Sequence, residues 1–339
     1  MNISTCHEYL FILFCVFIRK ISMPHIDELR LIARVARMYY EWDMRQSEIA
    51  NQLDLSQATV SRLLNRSKEE GIIRISVNLP DGVYTELEET LVKKYGLRDA
   101  IVVDSLDDDE KLIQRDLGTA AAFYLESAIR PNEIIGISSW SATLLALVDA
   151  LHPLPKKPGV KVVQILGGVG NPAVAAHASR LTSRMAQLVN GDAVYLPVAG
   201  ILATEAARDV LMADEVTQQA VRLFDQVTTA LVGIGALDPS PLLAQSGNIF
   251  SPQELNHLRE KNAVGDILVR FFNIHGEPVE TGLERRVISM NLDQLSKVNR
   301  AVGVAGGLRK YAGILGALRG HWINILVTDH FTAERLAKE

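Results

Sequence analysis

The chain lacks cysteine over almost its whole length, since Cys6 and Cys15 are the only two among 339 residues. Beyond Cys15 this excludes disulfides, cysteine-ligated metal sites and thiol catalysis, and it fits a reducing cytoplasm. A cationic excess is also absent, because the formal net charge is −5. Any binding of nucleic acid must therefore come from a local basic surface rather than from the charge of the whole chain.

A hydrophobic run long enough for a membrane helix is missing as well. The apolar run over 9–18 has ten residues, whereas a membrane span needs about 20. Arg19 and Lys20 follow this run instead of preceding it, which is untypical of a secretory signal. We expect residues 1–22 to be disordered or an over-extended start, with Met23 as the true first residue; an N-terminal membrane anchor is the alternative.

The composition that remains is that of a globular protein, with 48% hydrophobic and 22% charged residues. A single core rarely grows past about 250–300 residues, so this length predicts two domains. We place the boundary near residue 80, with a smaller domain over 23–80 and a larger one over 81–336.

The 23–80 domain has the element order of a winged helix-turn-helix. Apolar residues recur at intervals of three and four from Leu29 to Tyr40, and a shorter amphipathic helix covers 46–53. A third helix begins after Ser56, which is a good N-cap, and the alternating run 72–77 predicts a strand that forms the wing.

The third helix is suited to the major groove of DNA. Polar side chains stand near its start and arginines one and two turns later, the order in which a recognition helix contacts bases and phosphates. The stretch 56–68 contains three cations and no acid. The predicted DNA contacts are Gln46, Ser56, Gln57, Ala58, Thr59, Ser61, Arg62, Asn65 and Arg66.

One such module reads few base pairs. We therefore expect a homo-oligomer, a dimer or a tetramer, that places two modules on a two-fold site in double-stranded operator DNA. The alternative is a three-helix packing unit that makes no DNA contact.

From residue 81 onward, β-branched runs alternate with amphipathic helices. The predicted strands cover 100–103, 134–137, 160–166, 192–197, 229–235, 302–305 and 323–328. Continuous apolar strands between helices indicate a parallel sheet covered on both faces, and ligands of such sheets bind beyond the carboxyl ends of the strands. The predicted fold class is α/β: an N-terminal winged helix-turn-helix and a larger Rossmann-like C-terminal domain.

Three loops at predicted strand ends carry groups that can bind a ligand. Residues 138–143 lead from a strand into a helix and offer hydroxyls and N–H groups to an anion, although an ordinary N-cap has the same composition. Residues 305–310 make a similar connection with paired glycines and Lys310. In the loop 263–267, Asp266 either caps a turn or accepts hydrogen bonds from sugar hydroxyls.

Signals for other chemistry are weak. The glycines at 167–170 imitate a dinucleotide fingerprint, but its last glycine and an acidic ribose ligand are missing. The eight histidines show no metal-ligand spacing. Isomerisation needs a base and an acid around the reacting carbons, and the loops offer Asp266 without a second convergent carboxylate or histidine. We expect no catalytic residue, no metal and no cofactor.

The order of motifs resembles the SorC family of sugar-binding transcriptional regulators over residues 28–336. The motifs that carry the resemblance are 46–50, 56–62, 140–143, 265–267, 286–288, 305–307 with Lys310, and 317–320 through 328–329. The resemblance implies a C-terminal domain similar to sugar-phosphate isomerases that is used as a sensor, with a sugar or sugar phosphate as its effector.

By position, the resemblance implies that Ser141 and Thr143 hold a phosphate together with Lys310, and that Asp266 holds hydroxyls. Many members have glycine where this chain has Ser141. The full set of predicted effector-binding residues is Ser139, Trp140, Ser141, Thr143, Gly167, Gly168, Asp266, Gly306, Gly307 and Lys310.

The function expected from these features is regulation of a carbohydrate-catabolism operon in the cytoplasm. An active sugar-phosphate isomerase or deaminase with an accessory helix-turn-helix is the first alternative. An interaction scaffold is the second, although it leaves the serine and glycine loops without a purpose.

Overall fold

The computed structural model describes residues 26–73, 80, 82–107, 109–247 and 250–339, apart from the side chains of 172–176. The chain divides into two compact units, Met1–Asn78 and Leu79–Glu339. Within the described residues, no helix is long and apolar enough to cross a membrane. The run 9–18 and the part of the predicted wing at 74–77 lie outside the described residues.

Over residues 26–73, the part of the first unit that the structure describes, three helices lie where the spacing of apolar residues predicts them. They are α1 over 26–40, α2 (Gln46–Gln52) and α3 (Gln57–Glu69). Their apolar faces meet in one small core that includes Ile32, Ile49 and Val60. The hydroxyl of Ser56 accepts a hydrogen bond of 3.1 Å from the amide of Thr59 and so caps α3.

The described residues of the second unit include ten strands, which form two sheets. In chain order they are β1 (Asp99–Val103), β2 (Ile134–Ile137), β3 (Lys161–Gln164), β4 (Asp192–Val194), β5 (Thr229–Gly233), β6 (Gly235–Ala236), β7 (Ala263–Ile267), β8 (Arg270–Asn273), β9 (Arg300–Val304) and β10 (Ile325–Asp329). Seven of them make a sheet in the order β1–β10–β9–β5–β2–β3–β4, with every neighbouring pair parallel. The antiparallel strands β6, β7 and β8 form a separate small sheet.

Helices pack against both sheets. They are α4 (Thr85–Tyr95), α5 (Glu110–Ala128), α6 (Ala142–Ala150), α7 (Pro172–Leu188), α8 (Glu205–Met212), α9 (Glu215–Val221), α10 (Pro241–Gln245), α11 (Pro252–Glu260), α12 (Leu292–Ser296), α13 (Tyr311–Arg319) and α14 (His330–Lys338). Three short 3₁₀ turns complete the unit: η1 (Phe224–Gln226), η2 (Leu283–Arg286) and η3 (Leu308–Lys310).

Apolar cores lie on both faces of the large sheet. Along β5, Leu231 packs into one cluster and Val232 into the other, as alternating side chains of a doubly covered strand must. The prediction of a parallel α/β sheet is therefore confirmed.

The prediction of a loop over 263–267 is wrong, because these residues form β7. Its residues alternate between buried and half-buried, the pattern of a strand with one face on the core. β8 follows directly after a two-residue turn, and no strand was expected there.

The large sheet has one switch point, between β2 and β5. From β2 the chain continues outward to β3 and β4, whereas from β5 it continues in the other direction to β9 and β10. At such a point the connections after the two neighbouring strands diverge and leave a crevice beyond their carboxyl ends. A ligand site is therefore expected there.

Candidate functional site

A cavity of about 470 Å³ opens at this switch point. Ser138 and residues 140–143, after β2, line one wall, and Gly233 to Ala236, at the end of β5 and in β6, line another. The start of α5, the segment 239–243, the turn between β7 and β8, and η3 complete the lining. A cavity of this volume lies within the range of small-molecule sites, about 300–1,000 Å³.

The N-terminus of α6 forms the part of the wall suited to an anion. Ser141 is the N-cap, and its hydroxyl accepts a hydrogen bond of 3.2 Å from the amide of Leu144. Ala142 and Thr143 of the first turn line the cavity, where helix N–H groups and the helix dipole favour negative charge. A Cβ atom at Gly233 would lie 2.8 Å from the Ser141 hydroxyl, so glycine at the end of β5 leaves room for this serine.

Lys310 brings a cation to the same cavity. It ends η3, and its ammonium group makes no hydrogen bond or ion pair with any residue that the structure describes. Burial lowers the pKa of Lys310, and the neighbouring charge of Arg309 lowers it further. The described residues accept no hydrogen bond from this ammonium group, so it is available to an anionic ligand, while the nearby charges of Glu110 and Asp266 raise its pKa.

Asp266 brings a carboxylate. It lies on β7, and its Oδ2 atom accepts a hydrogen bond of 2.9 Å from the amide of Val269. Burial raises the pKa of Asp266 from 3.8 to about 6, although the Val269 hydrogen bond and the charge of Lys310 oppose this shift. The cavity thus holds an anion-binding helix end, a cation and an acceptor for hydroxyl groups.

An acidic wall was missed by the sequence analysis. Asp109, the N-cap of α5, lines the cavity together with Glu110 and Gln114 of that helix. Glu110 accepts a hydrogen bond of 2.6 Å from the Arg309 guanidinium. That hydrogen bond is the main cause of the lowered pKa of Glu110. The available signal was the position of these acids after β1, because carboxyl ends of parallel strands share one edge of the sheet.

Half of the predicted effector residues line the cavity, and half lie behind its walls. Trp140, Ser141, Thr143, Asp266 and Lys310 are in the lining. Among the others, the buried Ser139 donates a hydrogen bond of 2.6 Å to the carbonyl of Leu166, which ties the β2–α6 loop to the chain after β3.

Gly167 and Gly168 have packing roles behind this loop. The indole N–H of Trp140 donates a hydrogen bond of 3.0 Å to the carbonyl of Gly167. A Cβ atom at Gly167 would lie 2.6 Å from the backbone of Ala199, and one at Gly168 would lie 2.9 Å from the amide of Gln164. The backbone contact requires glycine at position 167, whereas a side chain at position 168 would displace the end of the Gln164 side chain.

Gly306 and Gly307 contact Asp329 rather than the cavity. Gly307 has a φ of +85° and donates a hydrogen bond of 2.8 Å to the Asp329 carboxylate. A Cβ atom at Gly306 would collide with the same carboxylate. These glycines join the ends of β9 and β10 and so position η3, which carries Lys310.

The predicted DNA-contacting residues lie on the surface of the first unit. Ser56, Gln57, Ala58, Arg62 and Asn65 are exposed, and the half-buried members are Gln46, Thr59, Ser61 and Arg66.

The two arginines of α3 differ in their partners. The Nε atom of Arg62 donates a hydrogen bond of 3.3 Å to the carbonyl of Ala58. Arg66 is bound by two acids, Glu28 of α1 and Glu70, the latter at 3.1 Å. Both carboxylates raise the pKa of Arg66.

Comparison with known proteins gives a consistent assignment. Residues 83–338 match the family model described as "Sugar-bind: Putative sugar-binding domain". The sorbitol operon regulator of Klebsiella pneumoniae is 33% identical over 93% of this chain and 100% of its own length. The deoxyribonucleoside regulator of Bacillus subtilis is 32% identical over 92% of this chain and 99% of its own length.

A solved structure agrees with these relatives. The full-length sorbitol operon regulator SorC from Klebsiella pneumoniae matches with a TM-score of 0.70 and 31% identity, and the match covers 91% of this chain and 98% of that one. Because these relatives are named as regulators, the isomerase alternative is not favoured, and the prediction of a transcriptional regulator rather than an enzyme is confirmed. The chain belongs to the SorC family of sugar-binding transcriptional regulators.

Proposed function

We propose that the chain regulates a carbohydrate-catabolism operon by binding its operator DNA, with an affinity that a sugar or sugar phosphate modulates. One observation carries the proposal. A single cavity at the sheet's switch point combines the N-terminus of α6, the unpaired ammonium group of Lys310 and the carboxylate of Asp266. Anion-binding groups next to a hydroxyl acceptor match the two halves of a phosphorylated sugar.

In this proposal, Ser141, Thr143 and Lys310 hold the phosphate, because a helix N-terminus and an ammonium group both favour negative charge. Asp266 accepts hydrogen bonds from sugar hydroxyls, and Trp140 forms part of the wall. The remaining predicted residues affect effector binding indirectly, because they pack behind the walls of the cavity. They are Ser139, Gly167, Gly168, Gly306 and Gly307.

Operator binding is assigned to residues 23–80 as a winged helix-turn-helix with α3 in the major groove. The exposed polar and cationic side chains of α3 support this assignment, because base readers precede the cations as a recognition helix requires. Residues 81–336 then form the effector-binding and oligomerisation domain of a cytoplasmic dimer or tetramer. Two modules on a two-fold operator require that oligomer.

Regulation in this scheme is a shift between two arrangements of the oligomer. An effector that binds one arrangement more tightly increases its population by that difference in affinity, and operator affinity changes reciprocally. No covalent step is needed.

The proposal is tested by a thermal-shift screen of the full chain with pentoses, hexoses and their monophosphates. A true effector raises the melting temperature increasingly with its concentration. We expect one sugar phosphate to do so for the wild type and to fail with Lys310→Gln, while Lys93→Gln, on α4, responds like the wild type. The proposal fails if none of the compounds stabilises the chain, or if Lys310→Gln responds normally.

A further inference from the structure

The turn between β7 and β8 has a backbone conformation that its residues disfavour. Ile267 pairs with Arg270, so the turn consists of Leu268 and Val269 alone. Both have positive φ angles, 55° and 64°. Hairpin turns of this kind are normally built from Asn-Gly or Asp-Gly, and a β-branched residue at positive φ is strongly disfavoured. The turn is therefore strained.

The strained turn is part of the candidate site. The side chains of Leu268 and Val269 are each 3% exposed, and both line the cavity. Strained backbone persists only where the surroundings hold it, and it clusters at ligand sites and switch regions. The surroundings of this turn must therefore hold its backbone in place.

Two side chains hold it, and both bind the peptide group that joins Leu268 to Val269. The Asp266 carboxylate accepts a hydrogen bond of 2.9 Å from the amide of Val269. On the other side, the Ser289 hydroxyl donates a hydrogen bond of 2.9 Å to the carbonyl of Leu268. We call these two side chains the clamps of the turn. One of them is the Asp266 carboxylate, which the cavity also offers to a ligand.

The second clamp, Ser289, is also hydrogen-bonded to a residue that does not line the cavity. Arg270 donates from Nε to the Ser289 hydroxyl at 3.1 Å and from Nη1 to the carbonyl of Glu284 at 2.9 Å. Residues 283–289 are in turn joined to the chain before α8, since Arg286 donates a hydrogen bond of 2.8 Å to the carbonyl of Leu202. A continuous hydrogen-bonded path therefore runs from Asp266 to the segment that precedes α8.

We propose that the Leu268–Val269 turn is a strained two-state element, held by Asp266, that reports the state of this carboxylate to residues 283–289. A ligand hydroxyl that bonds to the carboxylate weakens its bond to the Val269 amide, and the strain then drives the turn to relax. Leu268 moves with the turn, and Ser289 and Arg270 follow because both are bonded into it. The role of this element in sensing rests on the proposed effector site, but its existence does not.

The test is amide hydrogen exchange of the full chain without any ligand. Asp266→Ala removes one clamp, and we expect exchange at least tenfold faster both in 267–271 and in 284–289. Strands β2 and β5 should keep the protection of the wild type. Asp109→Ala is the matched control, because it removes another cavity carboxylate that does not contact the turn; it should leave 284–289 unchanged.

A second substitution tests the strain itself. Glycine adopts positive φ without cost, so Val269→Gly added to Asp266→Ala should return exchange in 284–289 to within about threefold of the wild type. The proposal is overturned if Asp266→Ala leaves 284–289 protected, if exchange rises equally in β2 and β5, or if glycine restores nothing. Because no ligand is used, each of these outcomes is independent of whether the cavity binds a sugar.

Discussion

The amide of Gly307 donates a hydrogen bond of 2.8 Å to the carboxylate of Asp329, a side chain with no exposed surface. The same carboxylate accepts hydrogen bonds of 2.8 Å from the amide and the hydroxyl of Thr332, and it caps α14. One buried acid therefore satisfies donors from two loops. Through Gly307 it also fixes the start of η3, which carries Lys310.

Replacing this acid should be costly. Asp329→Ala removes the acceptor of the buried amide and hydroxyl of Thr332, while the Gly307 amide keeps its hydrogen bond of 3.0 Å to the Thr332 hydroxyl. Each buried donor left without an acceptor costs about 1–3 kcal/mol, so we expect the free energy of unfolding to fall by about 3 kcal/mol or more. Urea unfolding of the full chain measures this loss. Asp214→Ala is the control, because Asp214 caps α9 in the same way but is exposed, and its loss should be about 1 kcal/mol. Equal losses in the two variants would contradict the assigned role of Asp329.

We expect the Arg62 side chain to contribute strongly to operator affinity. Its guanidinium is exposed on α3 and makes one weak backbone contact, so it is free to reach DNA. We expect Arg62→Ala to lower operator affinity at least tenfold, and to reduce the salt dependence by about one counterion if Arg62 contacts phosphate. Fluorescence anisotropy with a labelled duplex from the upstream promoter region measures both.

The control for this prediction is Arg30→Ala. Arg30 is also exposed, but it lies on α1 and is paired with Asp27 at 3.1 Å. It should bind the duplex like the wild type, and both variants should keep the thermal response to the effector. An undiminished affinity in Arg62→Ala would remove α3 from the interface.

The raised pKa of Asp266 predicts a pH dependence of stability. The pKa of the Asp266 carboxyl is about 6 in the folded chain and 3.8 for an ordinary aspartate. Protonated Asp266 therefore stabilises the folded chain. This contribution is complete below pH 3.8 and is lost as the pH rises through 6. Between pH 4.5 and 7, the wild type should lose about 2 kcal/mol relative to Asp266→Asn. Urea unfolding of both proteins across this range tests it; parallel profiles would show that Asp266 titrates normally.

The sheet could be predicted from the sequence because parallel strands buried on both faces appear as continuous β-branched runs. The β7–β8 hairpin could not, for a physical reason. Its turn, Leu268–Val269, contains none of the residues that favour positive φ, so the sequence shows no turn signal. Because no turn signal follows Asp266, this acid between a glycine and an apolar residue was interpreted as part of a loop.

The residues of the candidate site could be predicted from the sequence only in part, for similar reasons. The loop 138–143 and Lys310 could be identified because a strand leading into a helix places hydroxyls, amides and cations at one edge of the sheet. The paired glycines 306–307 could not be assigned, because their partner, Asp329, lies far along the chain. An acidic helix start such as Asp109 looks the same whether it faces solvent or a cavity.

We propose that one chain joins operator binding to a carbohydrate cavity that contains Lys310. The most direct test titrates the labelled promoter duplex with the full chain, with and without the sugar phosphate that gives the largest thermal shift. We expect this compound to change the operator affinity of the wild type at least fivefold and to leave that of Lys310→Gln unchanged. An equal change in Lys310→Gln, or none in the wild type, would contradict it.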